Sequence, residues 1–519
     1  MSLEIKKRKR TKTRDELLSV LSQFSDIQAL QLLWALNVLQ LDCPTELRPD
    51  LRPYLRYPPP AAKARLGDKA FALKWEIENL LLLMLSNPKT RENIIPDRFF
   101  EFDTACILLN LYKKAEEAEN KILITEQNII SEMQRYAHKQ FLWQREFFQP
   151  ERIYRYYYVY GQGNCATYFE QKYGLTMEEF ALSCIGLYMK MLQSAWEPVP
   201  GLGGVKELRT EVIDLTMNII SKELVDLRTD TAKRIYEVAD KYSSKLSYLP
   251  SSLRHYPIIT SKKNGNRIIA PLPQLIMLRA TSGLYYDFAD GPQTLIEEAN
   301  SRFEQYAKEL IEARCPRFSV SREKTFGPKK ARMKTPDLLL MENDQIKVVF
   351  ECKATKLTFA AQFADNQYAE APTAFNQIAK GMSQLWKFFS RARRGIYAEE
   401  TVSPDVYGVI LTMDNWFNLT GTQLPELRKK AAQLAADEPG IAPEDMREVV
   451  FCSIEELDDV LAVSTEDEFL ETLRKSQLPE HHGWQLPVVR NPGWALNLER
   501  KAYPFNVADV LPLWNVIGR

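Results

Sequence analysis

In the stretch "TPDLLLMENDQIKVVFECK", residues 335–353, two carboxylates and an ammonium stand at the ends of otherwise apolar runs. Asp337 precedes the first run, and Glu351 and Lys353 close the second. Glu342-Asn343-Asp344-Gln345 is the only polar break between them, and its residue types suit a turn. Folding the stretch about Asp344 sets Asn343 against Gln345, Met341 against Lys347 and Asp337 against Glu351. Directly opposed residues of an antiparallel pair share a face, as do residues two apart along one strand. Asp337, Glu351 and Lys353 are therefore expected to meet at one end of a hairpin. Both runs are apolar on both faces, the pattern of strands covered on two sides. Ions set beside such a core each cost several kcal/mol unless compensated. Lys353 supplies one positive charge, and a hard divalent cation with oxygen ligands would supply the rest.

Pro336-Asp337, followed after a short hairpin by Glu351-Cys352-Lys353, resembles the signature of the PD-(D/E)xK nucleases, the restriction-endonuclease-like superfamily. The resemblance covers about residues 292–415 and leaves most of the chain outside. It implies a phosphodiesterase dependent on magnesium or manganese. Asp337 and Glu351 would hold the metal with the backbone carbonyl of Cys352, and Lys353 would position the attacking water and favour its hydroxide form. A metal there lowers the pKa of water and polarises the phosphoryl oxygen. In-line attack would leave a 5′-phosphate. Family members often carry a glutamate on the helix before the first strand, a role open to Glu304. Some place a Gln or Lys from the helix after the hairpin at the scissile phosphate, and here Gln377, Lys380 or Gln384 could serve. The Gln-x-x-x-Tyr form that some of them use is absent. Lys356 is a further phosphate-contact candidate. The competing reading makes Asp337 a turn residue, Glu351–Lys353 a structural ion pair, and the helix residues a solvated stripe.

These residues need elements to hold them. From about residue 292 the pattern alternates: a helix to 313, strands near 316–321, 337–342 and 346–353, a helix over 371–393, a strand at 406–412, a helix at 422–437 and a strand at 448–453. That order implies a mixed sheet flanked by helices. The first 200 residues read as mainly helical, with candidates at 15–41, 71–87, 102–119, 125–147 and 176–194. "VPGLGG" at 199–204 suggests a boundary, and a helical stretch over 206–246 leads to a hairpin signal at Asn264-Gly265. The expected class is multidomain α+β. Residues 1–200 form a helical region, 201–290 a helical linker with a hairpin, 291–460 the nuclease-like domain and 461–519 a C-terminal docking segment.

Lys plus Arg and Asp plus Glu are each 68, so a polyanion must be gripped by local patches. Candidates are "KKRKRTKTR" at 6–14, read as a flexible basic arm, the Lys262-Lys263-Arg267 hairpin tip and "REKTFGPKKARMK" at 322–334. "RIYRYYYVYGQG" at 152–163 interleaves Arg with Tyr, which suits either base stacking or packing. Seven scattered cysteines and no CxxC point to free thiols and away from zinc; His481-His482 reads as loop. No stretch reads as a secretory signal or a membrane span, so a cytoplasmic protein is expected. The expected activity is cleavage of DNA by a bacterial antiviral (anti-phage) defence enzyme. Two-strand cutting favours a homodimer. The alternatives are a repair, structure-selective or RNA-cleaving nuclease, and a nucleic-acid-binding scaffold that has kept the fold.

Overall fold

The computed structural model describes residues 2–517 except 43–49, 91–99, 127, 146, 200–208, 210, 243–244, 358, 365, 417–422 and 492–497. It divides into two compact units: residues 1–156, 166–290 and 511–519 in one, and 157–165 and 291–510 in the other. Each pairs helices with an open sheet, and the chain is α+β with helix predominating. No described helix is long and apolar enough to cross a membrane. The six described cysteines are free.

The first unit is built mainly on α1 (Leu3–Leu21), α2 (Asp26–Leu39), α3 (Lys74–Ser86), α4 (Phe102–Leu123), α5 (Ile129–Gln144), α6 (Met177–Gln193) and α7 (Leu224–Tyr242). Helix α3 carries the apolar run Leu80–Leu85 and is buried on every side, as a helix without a polar face must be. A capping box between Thr176 and Glu179 starts α6. The structure departs from three sequence expectations. Residues 15–41 are two helices, broken at 22–25, where the Ser22 hydroxyl donates back to the Ser19 carbonyl and loosens the turn. The basic stretch 6–14 is no flexible arm but part of α1, where Arg10 is bound by Glu119 and Lys6 reaches the Lys121 carbonyl. The stretch 206–246 is cut by a strand, Ser221–Glu223. That strand belongs to a four-stranded sheet of β1 (Glu197–Pro198), β2 (Ser221–Glu223), β3 (Ile258–Ser261) and β4 (Arg267–Ile269), in the order β1-β4-β3-β2. Strands β3 and β4 form the hairpin signalled by Asn264-Gly265, with Gly265 and Asn266 at positive φ. From residue 200 on, "VPGLGG" lies outside the described residues.

Helix α8 (Gln293–Arg314) opens the sheet region of the second unit. Its sheet is formed by β5 (Ser319–Arg322), β8 (Leu338–Glu342), β9 (Gln345–Lys353), β10 (Thr401–Thr412) and β11 (Val449–Ser453), in the order β11-β10-β9-β8-β5. The β5–β8 and β8–β9 pairs are antiparallel, β9–β10 and β10–β11 parallel. Between β5 and β8 a small hairpin intervenes, β6 (Thr325–Phe326) and β7 (Met333–Lys334), which the sequence reading did not separate. Helix α9 (Pro372–Arg393) covers the face bearing Leu339, Val349 and Ile410, and α10 (Gln423–Ala435) packs beside it. Helices α11 (Ile454–Leu461) and α12 (Glu466–Ser476) each begin on a capping box. Residues 501–502 are tied in by buried Arg314, which donates to both carbonyls while paired with Asp458.

The β8–β9 turn has two residues, Asn343 and Asp344, both at positive φ. Glu342 therefore pairs with Gln345 and Met341 with Ile346, one residue away from the expected register. A bulge at Lys347 absorbs the difference, and from Leu340↔Val348 to Leu338↔Phe350 the expected register holds. One more step places Asp337 opposite Glu351.

Candidate active site

Glu351 and Lys353 lie on the central strand β9, and Asp337 is the residue just before β8. By strand alternation, all three share the face covered by α9. Lys353 Nζ donates to Glu351 Oε1 at 2.7 Å, and the Cys352 backbone N–H donates to Asp337 Oδ2 at 2.7 Å. Glu351 is 1% exposed, and its Oε2 is buried with no hydrogen-bond partner. Burial pushes the Glu351 carboxyl up to about 8, with Asp337 adding to the shift and Lys353 opposing it. Burial also lifts Asp337 to about 6, helped by Glu304 and Glu323 and opposed by Lys353 and the Cys352 N–H. For Lys353, burial pulls downward but Glu351 and Asp337 outweigh it, so the amine is held above its ordinary value. Two carboxyls raised by burial beside a fixed ammonium occur at functional sites and in buried ion-pair networks alike.

The close approach of α9 depends on glycine. A Cβ on Gly381 would stand 3.0 Å from Glu351 Cγ, 3.0 Å from Lys353 Cε and 3.1 Å from Ile410 Cδ1. On the strand side, a Cβ on Gly408 would stand 3.1 Å from the Phe389 ring. Gly381 escaped the sequence reading. An isolated glycine inside a strong helix pattern was the available signal, since it costs helix stability unless packing requires it. Gly381→Val should press Glu351 and Lys353 out of place. We expect a loss of about 1–3 kcal/mol in a urea melt, as for overpacked cores, together with loss of whatever activity the pair supports.

The other candidates are placed unequally. Glu304 on α8 lies within electrostatic reach of Asp337, yet its carboxylate is held by Arg322 at 2.6 Å. On α9, Gln384 lies one turn beyond Gly381, and its Oε1 is buried without a hydrogen-bond partner. Gln377 and Lys380 are exposed, and the same stripe gives up Lys387 to Asp437 and Arg391 to Glu438. Lys356 faces Asp414 at 3.4 Å. In 152–160 most of the tyrosines, with Arg152 and Arg155, are buried, so this stretch packs and offers no stacking surface. His481 and His482 meet the Lys475 and Gln477 carbonyls.

Two carboxylates, one with an unsatisfied buried oxygen, and the adjacent Cys352 carbonyl are oxygen donors, the chemical type that a hard divalent cation takes. Among the described residues, no group of three or more His, Cys, Asp or Glu could hold a metal ion, so a cation here would rest on this smaller set and on water. No family model, curated protein or solved structure matches the chain.

Proposed function

We propose that the second unit is a magnesium- or manganese-dependent nuclease of the PD-(D/E)xK kind, hydrolysing phosphodiester bonds of DNA. The observation that carries this reading is the orphaned, buried Oε2 of Glu351, opposite Asp337 and joined to the Lys353 ammonium. Glu298, ion-paired to Arg302 through one oxygen, also leaves its other oxygen without a partner; what sets Glu351 apart is that its open oxygen belongs to a carboxyl opposite Asp337 and joined to Lys353. Asp337, Glu351 and the Cys352 carbonyl would hold the metal, which supplies Lewis-acid polarisation of the phosphate and an acidified water. Lys353 remains an ammonium, so it acts as a donor and not as a base. It orients the incoming water and offsets charge that develops on the phosphoryl oxygens. The bacterial defence role rests on analogy with the superfamily. The deciding experiment incubates the purified chain with duplex DNA, single-stranded DNA and RNA, in magnesium or in EDTA. Cleavage of DNA only with metal supports the reading; binding without cleavage under any divalent metal points to a scaffold.

The β6–β7 hairpin supplies a grip beside the site. Lys329, Lys330 and Arg332 at its tip are exposed and have no ion-pair partner among the described residues, whereas Arg322, Lys324 and Lys334 are paired with Glu304, Glu400 and Glu323. Only the unpaired three are available for phosphates. Charge reversal of all three should weaken DNA binding without changing base preference. The salt dependence should flatten by about one unit of slope for each phosphate released. Filter binding across a salt series reads both; an unchanged slope removes the hairpin from the interface.

A further inference from the structure

The first unit holds a cavity of about 560 Å³ bordered by α2, α3, the end of α5 and α6. Small-molecule sites run from roughly 300 to 1,000 Å³ and are mostly apolar with a few placed polar groups. The walls here are aromatic: Phe71, Trp75, Trp143, Phe148 and Tyr188 line it. They are also pre-set. The Trp143 indole N–H donates to Glu78 Oε2 at 2.8 Å, and the Phe148 and Tyr188 rings stack 5.7 Å apart.

Lys74, also in the lining, breaks the apolar pattern. It is 8% exposed, its Nζ donates to the Asn37 carbonyl at 2.8 Å, and it lies 5.5 Å from the Phe71 ring. No carboxylate pairs with it among the described residues; Asp42, which lines the same cavity, is turned to Arg65 at 3.5 Å. Burial alone pulls the amine down to about 7. A buried ammonium normally has a counter-ion, because one carbonyl does not replace its hydration. The Asn37 side chain is meanwhile locked by reciprocal amide bonds with Gln274, which steadies the carbonyl that holds Lys74.

We propose that this cavity binds a small planar aromatic molecule carrying one anionic group, with its ring between the aromatic walls and its charge on Lys74. Both a nucleotide and an aromatic acid have that chemistry. The site is separate from the carboxylate cluster, and its test reads binding, not cleavage.

The test titrates the full chain with 5′-AMP, with its neutral counterpart adenosine, and with 1-anilinonaphthalene-8-sulfonate. Binding is followed by quenching of tryptophan emission and by calorimetry. We expect saturable one-to-one binding of at least one anion, with 5′-AMP, if it is the one, at least tenfold tighter than adenosine. K74M should lower anion affinity at least tenfold while leaving adenosine binding unchanged. That variant removes a buried charge lacking a carboxylate partner, so it should melt no lower than wild type; should it aggregate, K74Q serves the same comparison. L192W, which fills the cavity from α6, should abolish all binding. Binding of 5′-AMP identifies the nucleotide class, and binding of the naphthalene sulfonate alone identifies the aromatic acids. Equal affinity in wild type and K74M, binding that survives L192W, or no saturable binding of either anion at millimolar concentration overturns the proposal.

Discussion

Asp337→Ala and Lys353→Ala should each lower metal-dependent DNA cleavage by about a thousandfold or more. Several kcal/mol of transition-state stabilisation is the usual contribution of a metal or a fixed cation at the phosphoryl group, and each 1.36 kcal/mol is a factor of about ten. The two variants should fail differently. Asp337→Ala removes one of the two proposed cation ligands and frees the Cys352 N–H, so higher metal concentration should restore part of the rate. Lys353→Ala removes the ammonium and leaves two opposed carboxylates, so metal binding should persist while the turnover step is lost. Cleavage of a labelled duplex over a magnesium series separates a shift in metal midpoint from a loss of maximal rate. Full activity in either variant would return the cluster to a structural ion pair.

Glu351→Gln should remove the response of stability to metal. In the folded chain the Glu351 carboxyl is raised to about 8, whereas an unfolded glutamate titrates at about 4.3. Between those values the folded state holds a proton that the unfolded state has lost. Stability of the metal-free protein must therefore fall as pH rises, and Asp337, raised to about 6, adds to the fall in its lower part. Magnesium at tenfold its dissociation constant would return about 1.4 kcal/mol, a rise in Tm of about 1–3 °C. The rise should be larger at pH 8 than at pH 6, because protons compete for the same oxygens. In Glu351→Gln the Tm should drop less between pH 6 and 8.5, and magnesium should leave it nearly unmoved. Scanning fluorimetry with and without EDTA reads all of this. A wild type whose Tm ignores magnesium, or a variant that still responds, would remove Glu351 from the metal site.

Much of the second unit was legible because its signals are local. Apolar runs of strand length, bounded by turn residues and set between long amphipathic helices, gave helix, strands, helix and strand in the right order. The register at Asp337 was predicted although the turn was not. Asn343 and Asp344 form a two-residue turn, and the bulge at Lys347 moves the pairing back by the one residue in error. Burial on both faces explains why the far end had to come right: a slip there would send Glu351 to the opposite side. Elsewhere local signals misled. Ser221–Glu223 looks helical and becomes a strand because Ile258–Thr260 pairs with it, and that partner is distant in sequence.

Residue types and spacing alone determined that two carboxylates and a lysine would share one end of a hairpin, since strand alternation and opposition follow from backbone geometry. Tertiary structure decided what those charges experience. It set Gly381 against Glu351 and Lys353, gave Glu304 to Arg322, left one Glu351 oxygen and the Gln384 carbonyl without partners, and enclosed Lys74 among aromatic rings. Each depends on elements far apart in the chain packing closely enough to exclude water, and exclusion of water is what turns a charge pattern into a perturbed site.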